Sequence, residues 1–140
     1  MMKRLSRWGL GLLLLTLGNP AAASTLLVPD QYPTIQAAVD AAVGGDEVVV
    51  SAGVYEEQVV ITKDLVVTGA GIGQTILKAP VYMGHTVYAL QYNAVVHVEQ
   101  PATTVVLRDF TVDGAGRGRL NTRFTGIMYD RTGGVAERLD

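Results

Sequence analysis

The segment that decides the fold runs from Pro33 to Gly71 and has the sequence PTIQAAVDAAVGGDEVVVSAGVYEEQVVITKDLVVTGAG. Residues 34–43 are rich in helix-forming residues, and their apolar side chains recur at the i, i+3, i+4, i+7 spacing of one helical face. Thr34 supplies an N-cap side chain, and Gly44 ends the pattern. The sequence therefore predicts one short helix over 34–43, with an apolar face formed by Ile35, Ala38, Val39 and Ala42.

Outside this helix, the chain favours short strands that are rich in Val and Ile and separated by Gly, Asp or Pro. No second helical pattern follows, so alternating layers of strands and helices are not expected. The predicted fold class is therefore all-β. The expected strands are Glu47–Val50, Val59–Ile61, Leu65–Thr68, Thr75–Leu77, Ala94–Val98, Thr104–Leu107, Phe110–Val112 and Gly126–Tyr129.

Two stretches of the chain resemble each other. Residues 59–73, VVITKDLVVTGAGIG, align with residues 105–118, VVLRDFTVDGAGRG, if Lys63 is an extra residue in the first copy. Asp64 and Asp109 then share a position at which the apolar alternation changes phase. Because Asp tolerates the left-handed backbone of a sharp bend, each copy is predicted to form a strand, a corner and a second strand. Such units stack as the coils of a solenoid.

The segment quoted first resembles the opening of the right-handed parallel β-helix proteins of the pectin lyase-like superfamily, which includes the pectin methylesterases. The likeness is close from Val28 to about Gly73 and continues through Val135 only as a pattern of coils. It implies a right-handed parallel β-helix in which the N-terminal capping α-helix, about 34–43, covers the open end of the solenoid. The family motif G-x-Y-x-E is matched by Gly53, Tyr55 and Glu57.

The resemblance does not supply a catalytic set. The later esterase motifs are a Gln-Asp pair, a second Asp within a Phe-rich segment and an Arg-Pro-Trp stretch, and all three are absent from the sequence. We therefore assign no catalytic residue and expect no enzymatic activity of the chain as given. If a longer protein is an enzyme, the resemblance implies a pectin esterase-like or lyase-like polysaccharide enzyme.

The N-terminus has the pattern of a cleavable secretory signal over residues 1–23. Basic residues precede an apolar run from Trp8 to Leu17, and the small side chains of Ala21–Ala23 offer a cleavage site after Ala23. A membrane-spanning helix would need roughly 20 apolar residues, about twice the length of this run. The mature domain is then residues 24–140, expected to be secreted or periplasmic and free of the membrane after the signal is removed.

Charge and cysteine content restrict the possible partners. The chain has 11 Lys and Arg residues against 13 Asp and Glu, and three of the basic residues lie in the signal. Such an acidic mature domain argues against a nucleic-acid partner. No cysteine is present, so no disulfide can form. With only His85 and His97 as soft ligands, no metal site is predicted.

One polar group is dense enough to form a binding surface, and two interpretations are open. In the first, it lines a groove on the flank of the β-helix, where arginines hold an acidic sugar and carboxylates bind calcium or act as acid and base. In the second, Asp109 only forms the corner and the rest is a solvated loop, which the matching position of Asp64 favours. The group comprises Arg108, Asp109, Asp113, Arg117, Arg119 and Arg123.

Tyrosines in the longest connection, residues 80–93, form a second candidate surface. Their rings either stack on sugar faces or pack the loop onto the coils. A polysaccharide is the expected partner. No cofactor is predicted, because calcium needs several converging oxygen ligands and no loop dedicated to it is visible. The candidate substrate-binding residues are Tyr82, Tyr88, Tyr92, Asp113, Arg117 and Arg119.

The chain stops at Asp140 within what resembles the start of another coil, and a solenoid needs a cap at each end. We therefore expect the N-terminal part of a longer β-helix. Three hypotheses remain: an exported, non-catalytic, carbohydrate-related β-helix domain, the N-terminal fragment of a polysaccharide-acting enzyme, or a truncated remnant without a function of its own.

Overall fold

The computed structural model describes residues 22–84, 92–102, 104–120 and 123–140. These residues form ten strands, one α-helix and the short 3-10 helix Arg117–Arg119. In chain order the elements are β1 Thr25–Val28, α1 Ile35–Ala41, β2 Glu47–Val50, β3 Gly53–Glu56, β4 Val59–Ile61, β5 Val66–Gly69, β6 Thr75–Lys78, β7 Asn93–Glu99, β8 Thr104–Asp113, β9 Phe124–Asp130 and β10 Gly133–Leu139.

Every strand pair in the described residues is parallel, and the pairs form three ladders. Ladder A contains β1, β2, β5, the first part of β8 and β10. Ladder B contains β3, β6 and the second part of β8. Ladder C contains β4, β7 and β9. From β2 onward the chain visits the ladders in the order A, B, C, so each pass adds one strand to each ladder.

The three ladders share one apolar interior. Alternate residues of β2 and β4 are buried, as expected for strands with one face turned inward. One small interior cavity is lined by Val50 of ladder A, Leu77 of ladder B and Ile61 of ladder C, together with other apolar side chains. The chain is therefore mainly β, with parallel sheets and a single α-helix in its described part.

The predicted helix is present and slightly shorter than expected. The Thr34 hydroxyl accepts a hydrogen bond from the Ala37 N–H at 3.1 Å, which confirms the predicted N-cap. The helix ends at Ala41 instead of Val43, because Ala42 turns extended and the Val43 N–H donates to the Asp46 carboxylate at 2.8 Å. This bond, and a second one from the Ser24 N–H, hold the pKa of Asp46 below its ordinary value.

Residues on either side of β4 hold both ends of α1. The Glu57 carboxylate accepts hydrogen bonds from the N–H groups of Ile35 and Gln36, at 2.9 and 2.8 Å. The Lys63 ammonium donates to three carbonyl oxygens at the other end, those of Val39, Asp40 and Ala42. A carboxylate at the N-terminus and a cation at the C-terminus complement the helix dipole and satisfy its terminal backbone groups.

The Gln36 side chain closes the backbone edge of β4, the first strand of ladder C. Its amide oxygen accepts from the Val60 N–H at 2.7 Å, and its amide nitrogen donates to the Val60 carbonyl at 3.2 Å. These two bonds take the place of a neighbouring strand at an edge that would otherwise be open. Helix α1 therefore covers the start of the stack through specific hydrogen bonds as well as apolar contact.

The predicted corner at Asp109 is confirmed. Strand β8 pairs with β5 before this residue and with β6 after it, so the chain passes from ladder A to ladder B without a loop. Asp109 has a φ of 62°, in the left-handed region that Asp tolerates better than most residues. Phe110 after the corner is buried, as are Val105 and Leu107 before it. The apolar side therefore stays inside across the bend.

The predicted equivalence of residues 59–73 and 105–118 is wrong in register. Val59–Ile61 lies in ladder C, whereas Val105 and Leu107 lie in ladder A, and Val67 pairs with Leu107. Asp64 is not among the residues with a positive φ. Both stretches contain a strand, a corner and a second strand, but the first turns from ladder C to ladder A and the second from A to B. A local sequence repeat therefore predicts that a corner is present, but it does not predict which two ladders that corner joins.

The strand boundaries agree with the prediction at Glu47–Val50 and Val59–Ile61, and four other predicted strands shift by one or two residues. The two strands predicted at Thr104–Leu107 and Phe110–Val112 form the single strand β8, because the backbone continues through the corner at Asp109. Strands β1, β3 and β10 were not predicted, because each is short or rich in Gly and polar residues. The predicted signal, residues 1–23, lies outside the described residues except for Ala22 and Ala23. Within the described ranges, the helical segments are too short or too polar to cross a membrane.

Replacing Glu57 tests whether its carboxylate stabilises the N-terminus of α1. Glu57→Ala is expected to lower the free energy of unfolding by about 1–2 kcal/mol, because it leaves two helix N–H groups without their carboxylate. Glu56→Ala, one residue away but on an exposed ion pair, is the matched control and is expected to cost less than about 0.5 kcal/mol. Urea unfolding curves measure both, and equal losses would contradict the capping role.

Replacing Gly69 tests the close stacking at the corner. A Cβ at this position would clash with the Asp109 carbonyl oxygen and lie 2.9 Å from the Phe110 Cβ. Gly69→Ala is therefore expected to cost about 1–3 kcal/mol or more through overpacking against backbone. Gly44→Ala is the control, since its Cβ would meet nothing within 4 Å. Thermal melting of both variants checks the difference, which should vanish if Gly69 is not in contact with the backbone at Asp109.

Candidate functional site

The outer face of ladder B carries a charged row that crosses three strands. Glu56 of β3 pairs in register with Lys78 of β6, and Lys78 pairs with Asp113 of β8. Because neighbouring strands are about 4.8 Å apart, side chains at matching positions form a regular line on the surface. We call this line, with Arg117, the ladder B row.

Two cations converge on one carboxylate in this row. The Lys78 ammonium lies 3.2 Å from one oxygen of Glu56, and the Arg117 guanidinium lies 3.7 Å from the other. Arg117 reaches this point from the 3-10 helix that follows β8. The three side chains are between about a quarter and a half exposed, so they are both ordered by one another and accessible to a ligand.

Two of the predicted binding residues, Asp113 and Arg117, therefore meet in one surface. Asp113 is exposed, and its carboxylate also accepts a hydrogen bond from the Ala115 N–H at 2.7 Å, so it shapes the turn as well. Arg119 is exposed in the same 3-10 helix as Arg117. The ring of Tyr82, which follows β6, is 84 % exposed. A second row lies beside the charges, with Val54, Ile76 and Thr111 in register, of which Val54 is exposed and the other two are partly buried.

The other members of the predicted polar group are dispersed. Arg108 lies on the outer face of ladder A, where it donates to Thr68 at 3.0 Å and pairs with Glu47 at 3.1 Å. Arg123 stacks over the Tyr92 ring, 4.9 Å from its centroid. The group was dense in sequence, but the corner at Asp109 sends its two halves to different ladders. The proposed single groove containing all six residues is therefore wrong.

Asp109 forms an ion pair with Arg138, a residue that no sequence pattern links to it. The Arg138 guanidinium of β10 donates to both carboxylate oxygens of Asp109, the second at 2.7 Å. This hydrogen-bonded pair, against a smaller opposing effect of desolvation, keeps the pKa of Asp109 below its ordinary value. The second interpretation of the sequence, in which Asp109 serves the corner, agrees with this geometry.

The tyrosine candidates have different environments. Tyr82 is highly exposed, whereas Tyr92 is half-buried beneath Arg123. Tyr88 and His85 lie outside the described residues. An exposed aromatic ring is suited to stacking on a sugar, while Tyr92 is engaged by a cation within the chain.

The residues of the family motif have structural roles. Glu57 caps α1, and the Tyr55 hydroxyl donates to the Ser51 carbonyl at 3.1 Å. Partial burial, reinforced by the nearby charge of Glu57, raises the pKa of Tyr55. Gly53 has a φ of 157°, and its backbone faces the Tyr55 ring. The three motif residues therefore shape strand β3 and its contact with α1.

A second constellation, absent from the sequence analysis, lies on ladder C. His97 and Glu99 of β7 and Asp130 of β9 bring their ligand atoms within 4.8 Å of one another. His97 is 1 % exposed. The available signal was the alternation His-Val-Glu at 97–99, which places two ligands on one face of a strand. The third ligand could not be found by spacing, because it is 31 residues further along the chain.

No protein-family model matches the chain, and no curated protein is significantly similar to it. The function must therefore be inferred from the geometry of the described residues.

The pair between Asp109 and Arg138 predicts a pH dependence. Because the pKa of Asp109 is depressed in the folded protein, the pair contributes its full stability above the ordinary Asp pKa of about 3.9. The contribution declines as the pH falls below that value and is lost once the pH has fallen through the lower pKa of the folded state. Asp109→Asn retains a residue that tolerates the left-handed backbone and removes the charge. Its deficit in urea unfolding should be present at pH 6 and fade towards pH 3.

The variant Arg138→Met serves as the partner control. It should show a deficit with the same pH dependence, because it removes the other half of the pair. A deficit of Asp109→Asn that is equal at pH 3 and pH 6 would contradict an electrostatic origin.

Proposed function

We propose that this protein is an exported, right-handed parallel β-helix domain of the pectin lyase-like type, which binds an acidic polysaccharide without acting on it. The observation that carries the binding role is the ladder B row, in which Glu56, Lys78 and Asp113 stand in register and Arg117 joins them.

Three features support the β-helix architecture. All described strand pairs are parallel, the chain visits ladders A, B and C in a constant order, and one apolar interior is shared by the three. Connections between parallel strands of one sheet are right-handed in nearly all proteins, which supports the right-handed form. The covering helix α1, with its bonds to Glu57 and Lys63, matches the capping helix that the family resemblance implies.

The local charge of the row supports an anionic ligand. Residues 24–140 carry eight basic against 13 acidic side chains. On and beside the ladder B row the balance reverses, with Lys78, Arg117 and Arg119 against two carboxylates. Arginine binds carboxylates through two parallel hydrogen bonds, and a uronic acid offers one carboxylate on each sugar ring. The exposed Val54 lies beside the row and provides apolar surface for the sugar faces, and the exposed ring of Tyr82, four residues after Lys78, is a second candidate for stacking.

The regular spacing of the row supports a polymer as ligand rather than a single sugar. Ligand groups on successive coils repeat at the strand spacing of about 4.8 Å, so a chain laid along the row meets a new side chain on every coil. Because Lys78 and Arg117 are already ordered by Glu56, little side-chain entropy remains to be lost on binding.

Export is proposed from the pattern of residues 1–23. The chain around the expected cleavage site is compatible with it, since Ala22, Ala23 and Ser24 are exposed and precede β1 directly. N-terminal sequencing of the protein recovered from the cell exterior or periplasm tests this proposal, and a first residue of Ser24 is expected. Recovery of a cytoplasmic protein that still begins at Met1 would contradict it.

Binding to polygalacturonate, measured by calorimetry or affinity electrophoresis, tests the function. The double variant Lys78→Met/Arg117→Met is expected to weaken binding by about tenfold or more, because it removes both cations from the row while keeping their aliphatic stems. Tyr82→Ala is expected to weaken it by severalfold.

The variant Arg108→Met is the matched control, since Arg108 is a similarly exposed arginine in an ion pair on ladder A. It should bind like the unaltered protein. A loss in Arg108→Met equal to that in the double variant would point to nonspecific charge attraction. Binding of neutral polysaccharides as strongly as polygalacturonate would contradict an acidic ligand. Release of unsaturated or de-esterified products would contradict the non-catalytic role.

A further inference from the structure

We propose that His97, Glu99 and Asp130 form a binding site for a divalent transition-metal ion, with Zn²⁺ as the expected occupant. This inference does not depend on polysaccharide binding, because the three residues lie on ladder C and the ladder B row on another sheet.

Strand register brings the three residues together. His97 and Glu99 are two residues apart on β7, so their side chains leave the strand on the same side. Asp130 is the register partner of Glu99 on β9. The site is therefore carried by two adjacent hydrogen-bonded strands, which hold ligands more firmly than loops do.

The distances are close to those that a metal requires. The Nδ1 atom of His97 lies 3.8 Å from Oε2 of Glu99, and all three ligand atoms lie within 4.8 Å of one another. With metal–ligand bonds of about 2.0–2.2 Å in a tetrahedral site, ligand atoms are roughly 3.4 Å apart. Rotations of the two carboxylates, without movement of the strands, would close the difference.

Burial and donor type favour a transition metal over calcium or magnesium. His97 is almost completely buried, whereas the side chains of Glu99 and Asp130 are 27 % and 13 % exposed, so the cluster opens towards solvent on its carboxylate side. An imidazole with two carboxylates suits Zn²⁺, while Ca²⁺ and Mg²⁺ prefer oxygen ligands throughout. Two carboxylates also neutralise a divalent cation. Three protein ligands leave a position for water or another ligand.

The surroundings of the cluster include a competing cation and a hollow. The Arg131 guanidinium lies 3.5 Å from one oxygen of Asp130, and because its side chain is 65 % exposed, solvent weakens this ion pair. The turns that directly follow Glu99 and Asp130 line a shallow surface hollow formed by Gln100, Pro101, Ala102, Arg131, Thr132 and Gly133. An ion held at the cluster would thus lie beside an open concave surface.

Titration of the purified chain with Zn²⁺ against a chromophoric chelator tests the site. One ion per chain is expected, with Ca²⁺ binding much more weakly. Glu99→Gln and Asp130→Asn, at partly exposed positions where the fold should survive, are each expected to weaken Zn²⁺ binding by about tenfold or more. Circular dichroism checks that both variants are folded. Arg131→Asn removes the competing cation, tolerates the local left-handed backbone and is expected to tighten binding severalfold.

Two controls isolate the cluster. Glu56→Gln removes a carboxylate from another ladder and His85→Gln removes the only other histidine of the chain, and both should leave Zn²⁺ affinity unchanged. Co²⁺ bound in place of Zn²⁺ should show a visible d–d absorption that is lost in Asp130→Asn. The proposal is overturned if no Zn²⁺ binds, if binding persists unchanged in Glu99→Gln and Asp130→Asn, if it is lost in His85→Gln, or if Ca²⁺ binds as tightly.

Discussion

The rest of the structure depends on the hydrogen bonds by which the residues flanking β4 stabilise helix α1. A helix of seven residues is not stable alone in water, because nucleation costs more than so few hydrogen bonds return. Here the Glu57 carboxylate satisfies its first N–H groups, and the Lys63 ammonium satisfies carbonyls at its end. Gln36 then bonds the open backbone edge of β4. The helix and the first strand of ladder C therefore stabilise each other, and the later strands of this ladder add to the opposite edge of β4.

In the parallel ladders, residues that are far apart in the sequence lie at matching positions on neighbouring strands. Glu56, Lys78 and Asp113 are separated by 22 and 35 residues, and His97 and Asp130 by 33, yet each set meets on neighbouring strands. The same mechanism places the row on ladder B and the histidine cluster on ladder C. Two surfaces of different chemistry thus occupy one small domain, and we propose an acidic polymer as the ligand of one and a single metal ion as the ligand of the other.

Sequence reasoning succeeded where the cause of structure is local. The apolar spacing of residues 34–43 identified the helix, and Thr34 its cap. The change of phase at Asp109 identified the corner. It failed where two local patterns look alike. Asp64 and Asp109 both lie at a corner, but the corner at Asp64 joins ladder C to ladder A and the corner at Asp109 joins ladder A to ladder B. It also grouped Arg108 with Arg117, because nothing between them indicates that the intervening bend sends them to separate ladders.

By itself, the sequence determined the mainly β character, helix α1 and the strand-corner-strand unit, because helical periodicity, β-branched runs and a tolerant residue at a bend act over a few residues. Only the tertiary structure decided which strands are neighbours. The sequence separation between paired strands varies, since Glu47 pairs with Val66 but Val66 pairs with Val106, so no constant period reveals the pairing. The partners of Glu57, Asp109 and His97 follow from that pairing, and with them the candidate sites, since a side chain's chemistry here is set by the strand stacked beside it.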